Sequence, residues 1–121
     1  MKYFVTGATG FIGRHLVEQL LQREGTIYVL VREGSRARLE ELMARWEAPS
    51  DRIVPVIGDV TAPMLGVSDS DAKALEDVDH FFHLAAIYDM AADEESNRRS
   101  NIEGTKHAVD LANRLRAKRV Q

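Results

Sequence analysis

The run Thr6-Gly7-Ala8-Thr9-Gly10-Phe11-Ile12-Gly13 constrains the fold more than any other stretch, because it sets three glycines between an apolar run and an amphipathic one. Upstream, Lys2-Tyr3-Phe4-Val5 reads as a short buried strand; downstream, Phe11, Ile12, Leu16, Val17, Leu20 and Leu21 recur at helical spacing. At such a strand-to-helix turn the first glycine permits a tight turn, the second lets backbone N–H groups approach a phosphate, and the third lets the helix pack close to the sheet. A pyrophosphate placed there meets the positive end of the helix dipole and its unsatisfied N–H groups. The spacing, Gly7-x-x-Gly10-x-x-Gly13, differs from the tighter G-x-G-x-x-G, and a purely structural turn would also use glycines. The flanking strand and helix, with a second strand at the right distance, favour the nucleotide reading.

That second strand is Thr26 to Val31, β-branched and nearly continuous in its apolar character, after a stop at Arg23-Glu24-Gly25 with Gly25 as a C′ residue. Two strands joined by a helix make a right-handed, parallel βαβ unit. An acid just past its second strand would bind the adenosine 2′-OH, whereas an arginine would accommodate a 2′-phosphate. The chain reads Val31-Arg32-Glu33-Gly34-Ser35-Arg36 there. Arg32 holds the decisive place and Arg36 can close over the same phosphate, which favours NADP; Glu33, one residue on, is the argument for NAD. Ser35 is a candidate cap for a helix from Arg36 to Trp46 with Leu39, Leu42, Met43 and Trp46 on its core face.

Arg52 to Ile57 predicts a third strand, and Pro55 within it belongs at a sheet edge because proline cannot donate to a ladder. In the order 3-2-1-4 the third strand is an edge. Gly58-Asp59-Val60 follows at a carboxyl end, where ligands gather in open α/β sheets. Asp59 reads equally as an acceptor for the adenine amino group or as a residue that turns the chain. Residues 61–68 read as loop, 69–76 as a short helix and Val78 to Leu84 as a fourth strand, followed by the small residues Ala85 and Ala86, against which a ribose or nicotinamide can lie.

His80 and His83 lie three apart, so a strand points them to opposite faces; they read as packed histidines and not as a metal pair. Asp89, Asp93, Glu94 and Glu95 read as a turn and a helix start, and no cluster has metal-ligand spacing. The last long helix, Glu95 to Arg116, carries an apolar stripe of Ile102, Thr105, Ala108, Val109, Ala112 and Leu115. Gly104 within it costs about 1 kcal/mol relative to Ala, which implies close packing against it. Lys118-Arg119-Val120-Gln121 is the approach to a fifth strand.

The 121 residues amount to one domain with a core. A net charge of -3 with mixed signs gives no broad surface for nucleic acid or membrane. The absence of Cys rules out disulfides and a thiol nucleophile and fits a reducing compartment. No run reaches the ~20 apolar residues of a membrane span and the amino terminus lacks a signal-peptide layout, so the expected setting is cytoplasmic and soluble.

Together these residues resemble the extended short-chain dehydrogenase/reductase family. The pieces that carry the resemblance are Thr6 to Gly13, Gly58-Asp59-Val60, His83-Leu84-Ala85-Ala86 and Asn101-Ile102-Glu103-Gly104-Thr105, in the family's order over nearly the whole chain. The basic stretch from Arg32 to Arg38 is similar to the NADP-dependent branch that reduces fatty acyl or other thioester-bound acyl groups. The resemblance implies a Rossmann-type parallel sheet, order 3-2-1-4 with flanking helices, and a dinucleotide across its carboxyl ends. Gly7, Gly10, Phe11, Ile12 and Gly13 would hold the pyrophosphate with Thr9 beside them. Arg32 and Arg36 would take the 2′-phosphate, Asp59 and Val60 the adenine, and Leu84, Ala85 and Ala86 the nicotinamide side. Asn101 matches an asparagine near the family's active site, on a helix similar to one through which members dimerise.

Catalysis in that family uses a Ser and a Tyr-x-x-x-Lys pair. The tyrosines here are Tyr3, Tyr28 and Tyr88, and four residues on stand Gly7, Arg32 and Ala92, so no such pair exists. The expectation is an amino-terminal part of a reductase, residues 1–121, ending as a fifth strand begins and inactive by itself; a non-catalytic NAD(P)-binding sensor is the alternative. The exposed fourth strand, the last helix or exchange of an element between chains would then make a homo-oligomer.

Overall fold

Alternation along the first strand decides the layering. β1 (Lys2–Thr6) sends Tyr3 and Val5 into one apolar cluster and Phe4 into another, and all three side chains are buried. The computed structural model describes residues 1–49, 51–85 and 91–121. It continues through α1 (Phe11–Leu21), β2 (Thr26–Val31), α2 (Arg36–Arg45), β3 (Ile53–Ile57), α3 (Asp69–Ala74), β4 (His80–His83), α4 (Glu94–Leu115) and β5 (Arg119–Val120). Short 3-10 turns occupy Glu33–Ser35 and Pro63–Gly66.

The strands pair in parallel in the order β3-β2-β1-β4-β5. On one face Tyr3, Val5, Ile27 and Val29 meet Val17 and Leu20 of α1 and Leu39 of α2. On the other, Phe4 and Phe81 meet Leu75 together with Leu111 and Leu115 of α4. Helices on both faces of a parallel sheet make this the Rossmann-type architecture. β3 is an edge, as Pro55 requires. The Gly58 N–H donates to Val31 O (2.9 Å), and since parallel strands alternate the side to which N–H groups point, Pro55 sits in the set that faces outward, so its missing donor costs the ladder nothing.

Several expectations change. The sheet has five strands: Arg116 takes a left-handed conformation (φ 56) that ends α4, and the chain re-enters beside β4, pairing Arg119 with His80 and Val120 with Phe81. The His83 N–H also reaches Gln121 O (2.8 Å), so β4 is not an open edge. In α4 the buried face runs through Gly104, Ala108, Leu111, Ala112 and Leu115, while Ile102 and Val109, seven apart on an adjoining face, are about half exposed. α1 buries Gly13, Val17 and Leu20, leaving Phe11 and Ile12 exposed on its first turn. Ser35 makes no side-chain cap, because the preceding 3-10 turn leaves it at φ -104 and ψ 2 instead of the extended conformation of a capping residue. Gly25 is not the helix stop, which falls at Gln22; a Cβ at Gly25 would collide with Met1 O, beside the bond from Thr26 N to Met1 O (2.9 Å) that starts the β1–β2 pairing.

Candidate functional site

The carboxyl ends of β1, β2, β3 and β4 open on one cleft of about 260 Å³, lined by Gly7, Thr9, Leu30, Val31, Arg32, Ser35, Gly58, Asp59, Val60 and Ala85. Three motifs far apart in the chain thus share one wall, because a parallel sheet delivers every strand's exit to the same end.

The glycine turn forms its floor. Gly7 has φ +77, and a Cβ there would stand 2.7 Å from Ala85 N. At Gly13 a Cβ would collide with Gly7 O, so helix and turn touch backbone to backbone. Gly10 differs: a Cβ would meet nothing nearer than Gly7 O at 3.4 Å, so a side chain has room there. Gly10 is also the N-cap of α1, and neither a capping side chain nor a first-turn acid satisfies the helix's leading N–H groups. These features fit a phosphate-bearing ligand at the turn.

Arg32 and Asp59 form the polar rim, with the guanidinium 3.8 Å from the carboxylate. Asp59 Oδ1 accepts from Thr61 N (2.9 Å) and Thr61 Oγ1 (2.7 Å). Those two bonds hold its carboxyl below the ordinary value against the opposing effect of burial, and the Arg32 charge adds a lesser lowering. Asp59 therefore turns the chain with one oxygen, as one of its two sequence readings expects, and stands at the cleft as an anion. Val60 lies beside it in the lining.

Of the other residues singled out in the sequence, Arg36 lies outside the lining and pairs with Glu40 (3.6 Å). Phe11 faces solvent with its ring 4.9 Å from that of His15. Gly10, Ile12, Gly13 and Leu84 are not in the lining; Gly10 follows Thr9, Leu84 precedes Ala85, and Gly13 packs on Gly7. Ala86 lies outside the described residues, as do Tyr88 and Asp89. Asn101 is half-buried on α4, its side-chain N–H donating to Asn97 O (2.9 Å). The lining also contains Leu30, Val31, Ser35 and Gly58, which sequence reasoning missed; all four flank strand exits, and their place beside Arg32 and Asp59 was the available signal.

The histidines separate as strand alternation requires. His80 stacks between Tyr3 (5.5 Å) and Phe82 (5.8 Å) on the α1 side, with Nδ1 buried and unpartnered among the described residues. His83 does more than pack: its Nδ1 lies 2.8 Å from Thr6 Oγ1, and burial pushes its pKa below the ordinary value. Among the described residues no group of His, Asp or Glu could hold a metal ion, and no helix is long and apolar enough to cross a membrane.

Comparison with known proteins agrees with this geometry. The NAD-binding family model described as male sterility protein matches residues 5–121. Fatty acyl-CoA reductase 1 of Mus musculus is 30% identical over 129 residues, covering 93% of this chain and 25% of its own length. A linear gramicidin synthase polypeptide of Brevibacillus parabrevis is 39% identical over 118 residues, covering 89% of this chain and 2% of its own length. Among solved structures, the terminal R domain of the myxalamid PKS-NRPS biosynthetic pathway superposes with a TM-score of 0.76 at 34% identity, covering 98% of this chain and 33% of that one. The chain thus spans a third or less of each of these proteins.

Proposed function

This chain belongs to the male sterility protein family, an extended short-chain dehydrogenase/reductase family that includes fatty acyl-CoA reductases and synthetase reductase domains, and from that premise we propose that it is the NADP-binding part of a reductase acting on a carbonyl or acyl group. The observation that carries the cofactor reading is Arg32 on the rim of the cleft whose floor is Gly7. In this reading the free N–H groups of the α1 first turn take the pyrophosphate, together with Gly7, Thr9 and Gly10. Arg32 takes the 2′-phosphate, exchanging its 3.8 Å pairing with Asp59 for a dianion, and Arg36 joins it by leaving Glu40. The Asp59 carboxylate accepts from the adenine amino group beside Val60, and Leu84 and Ala85 back the nicotinamide. The cofactor supplies hydride. The 121 residues contain no Tyr-x-x-x-Lys, so proton delivery to the substrate falls to residues outside them and Asn101 is at most an accessory.

The identified relatives are three times as long as this chain or longer, which supports its assignment as one part of a larger reductase. Lack of cysteine supports a cytoplasmic setting. Ile102 and Val109, exposed along α4, support self-association through that helix.

Calorimetric titration with NADPH and NADH tests the assignment. The expected result is preference for NADPH, with Arg32→Ala weakening it about 10- to 100-fold, the worth of a hydrogen bond to a charged group, and leaving NADH unchanged. Preference for NADH, or an Arg32→Ala variant that binds NADPH like the parent, would remove Arg32 from the site.

A further inference from the structure

Thr6 is the one buried polar or charged residue identified among the described residues, and it has no solvent exposure. Its hydroxyl oxygen stands 3.1 Å from Leu84 N and 3.1 Å from Ala85 N, and 2.8 Å from His83 Nδ1. A hydroxyl has two lone pairs and one proton. The two amides are donors only; with both on the lone pairs, His83 Nδ1 is the partner left for the proton among the described residues. In that arrangement it donates to His83 Nδ1, which accepts unprotonated with the ring hydrogen on Nε2.

The consequence reaches the cleft. Leu84 N also has Thr6 O within 3.2 Å, but Ala85 N has the Thr6 hydroxyl as its partner, and Ala85 is the residue that both lines the cleft and packs against Gly7. Without an acceptor for its proton, the hydroxyl would turn toward another orientation and compete with one of the two amides. We propose that His83 is a positioning residue for the cofactor cleft: by accepting the Thr6 hydroxyl proton it aims both lone pairs at the Leu84 and Ala85 amides and fixes the wall packed against the glycine turn. This role rests on the nucleotide-binding reading for its effect on affinity, but not for the tautomer itself.

Two measurements on this chain test it. Long-range ¹⁵N–¹H correlation of the imidazoles reads the tautomer without any ligand: His83 should show an unprotonated Nδ1 and a protonated Nε2, and Thr6→Val should release that preference. A protonated Nδ1 in the parent would overturn the proposal outright. NADPH titration and amide exchange then compare His83→Phe, which fills the space without an acceptor, with His83→Asn, whose Oδ1 replaces Nδ1. His83→Phe should weaken NADPH about tenfold and speed exchange at Ala85, and His83→Asn should restore both to within about threefold. Equal affinity and exchange in parent and His83→Phe would overturn it. If the parent binds no NADPH while the tautomer and the exchange difference hold, the cofactor reading fails and the clamp stands; if His83→Phe does not fold, the parent tautomer and the His83→Asn exchange rate decide.

Discussion

At the scale of single residues, the three glycines of the turn carry different burdens, and substitution separates them. A Cβ at Gly13 collides with Gly7 O, so Gly13→Ala should destabilise the fold by about 1–3 kcal/mol, the range for overpacking a close contact, read as a lower thermal midpoint. At Gly10 the space is open, so Gly10→Ala should melt near the parent yet bind NADPH at least tenfold more weakly, because the methyl occupies ground the pyrophosphate needs. Equal affinity in Gly10→Ala and parent would make the turn structural only. His83 gives a pH signature. Its folded pKa lies below the ordinary value of about 6.5, so the unfolded chain binds more protons near that pH. Stability is therefore fully present above about 6.5 and falls as the solution is acidified below it, and His83→Asn should flatten that part of the melting-temperature profile. The role of Gly7 and Gly13 was legible in the sequence because backbone closeness leaves glycine as its mark. The hydroxyl clamp was not, since a threonine before a glycine looks like any strand residue until its three neighbours are seen.

At the scale of elements, alternation and turn chemistry made the sheet readable. Apolar continuity gave Thr26–Val31, and Pro55 gave the edge, because each reports directly on backbone pairing. The buried face of α4 differs from the expected stripe for a physical reason: its small residues sit beside Ile102 and Val109, and residue type alone does not say which of two adjoining faces meets the sheet. β5 begins where the sequence expected a fifth strand, but its pairing was not foreseen: it is two residues long and held by β4 pairing plus the bonds from Lys118 N to Val78 O (3.0 Å) and Arg119 N to Asp79 O (3.1 Å). The polar half of the cleft was partly legible. Arg32 and Asp59 announced themselves by position, whereas Ser35 lines the cleft only because the 3-10 turn before α2 places it there.

At the scale of the whole molecule, two exposed surfaces remain to be covered, the Ile102 and Val109 face of α4 and the short strand β5. Sedimentation at micromolar concentration should show a dimer or larger species, reduced to monomer by Ile102→Glu with Val109→Glu; a monodisperse parent monomer would count against association. The far side of the sheet behaves differently. Pro55 stands in the middle of β3 with its ring turned outward, where Ile53 and Ile57 present the flanking outward groups. A strand arriving from another chain would find the central donor missing and a pyrrolidine ring in its path. Sheet extension is thus stopped on that side, so one molecule cannot template the next into a fibril through β3, and a protein with a β-branched, strongly apolar centre keeps a safe flank during its exposure to crowded solution.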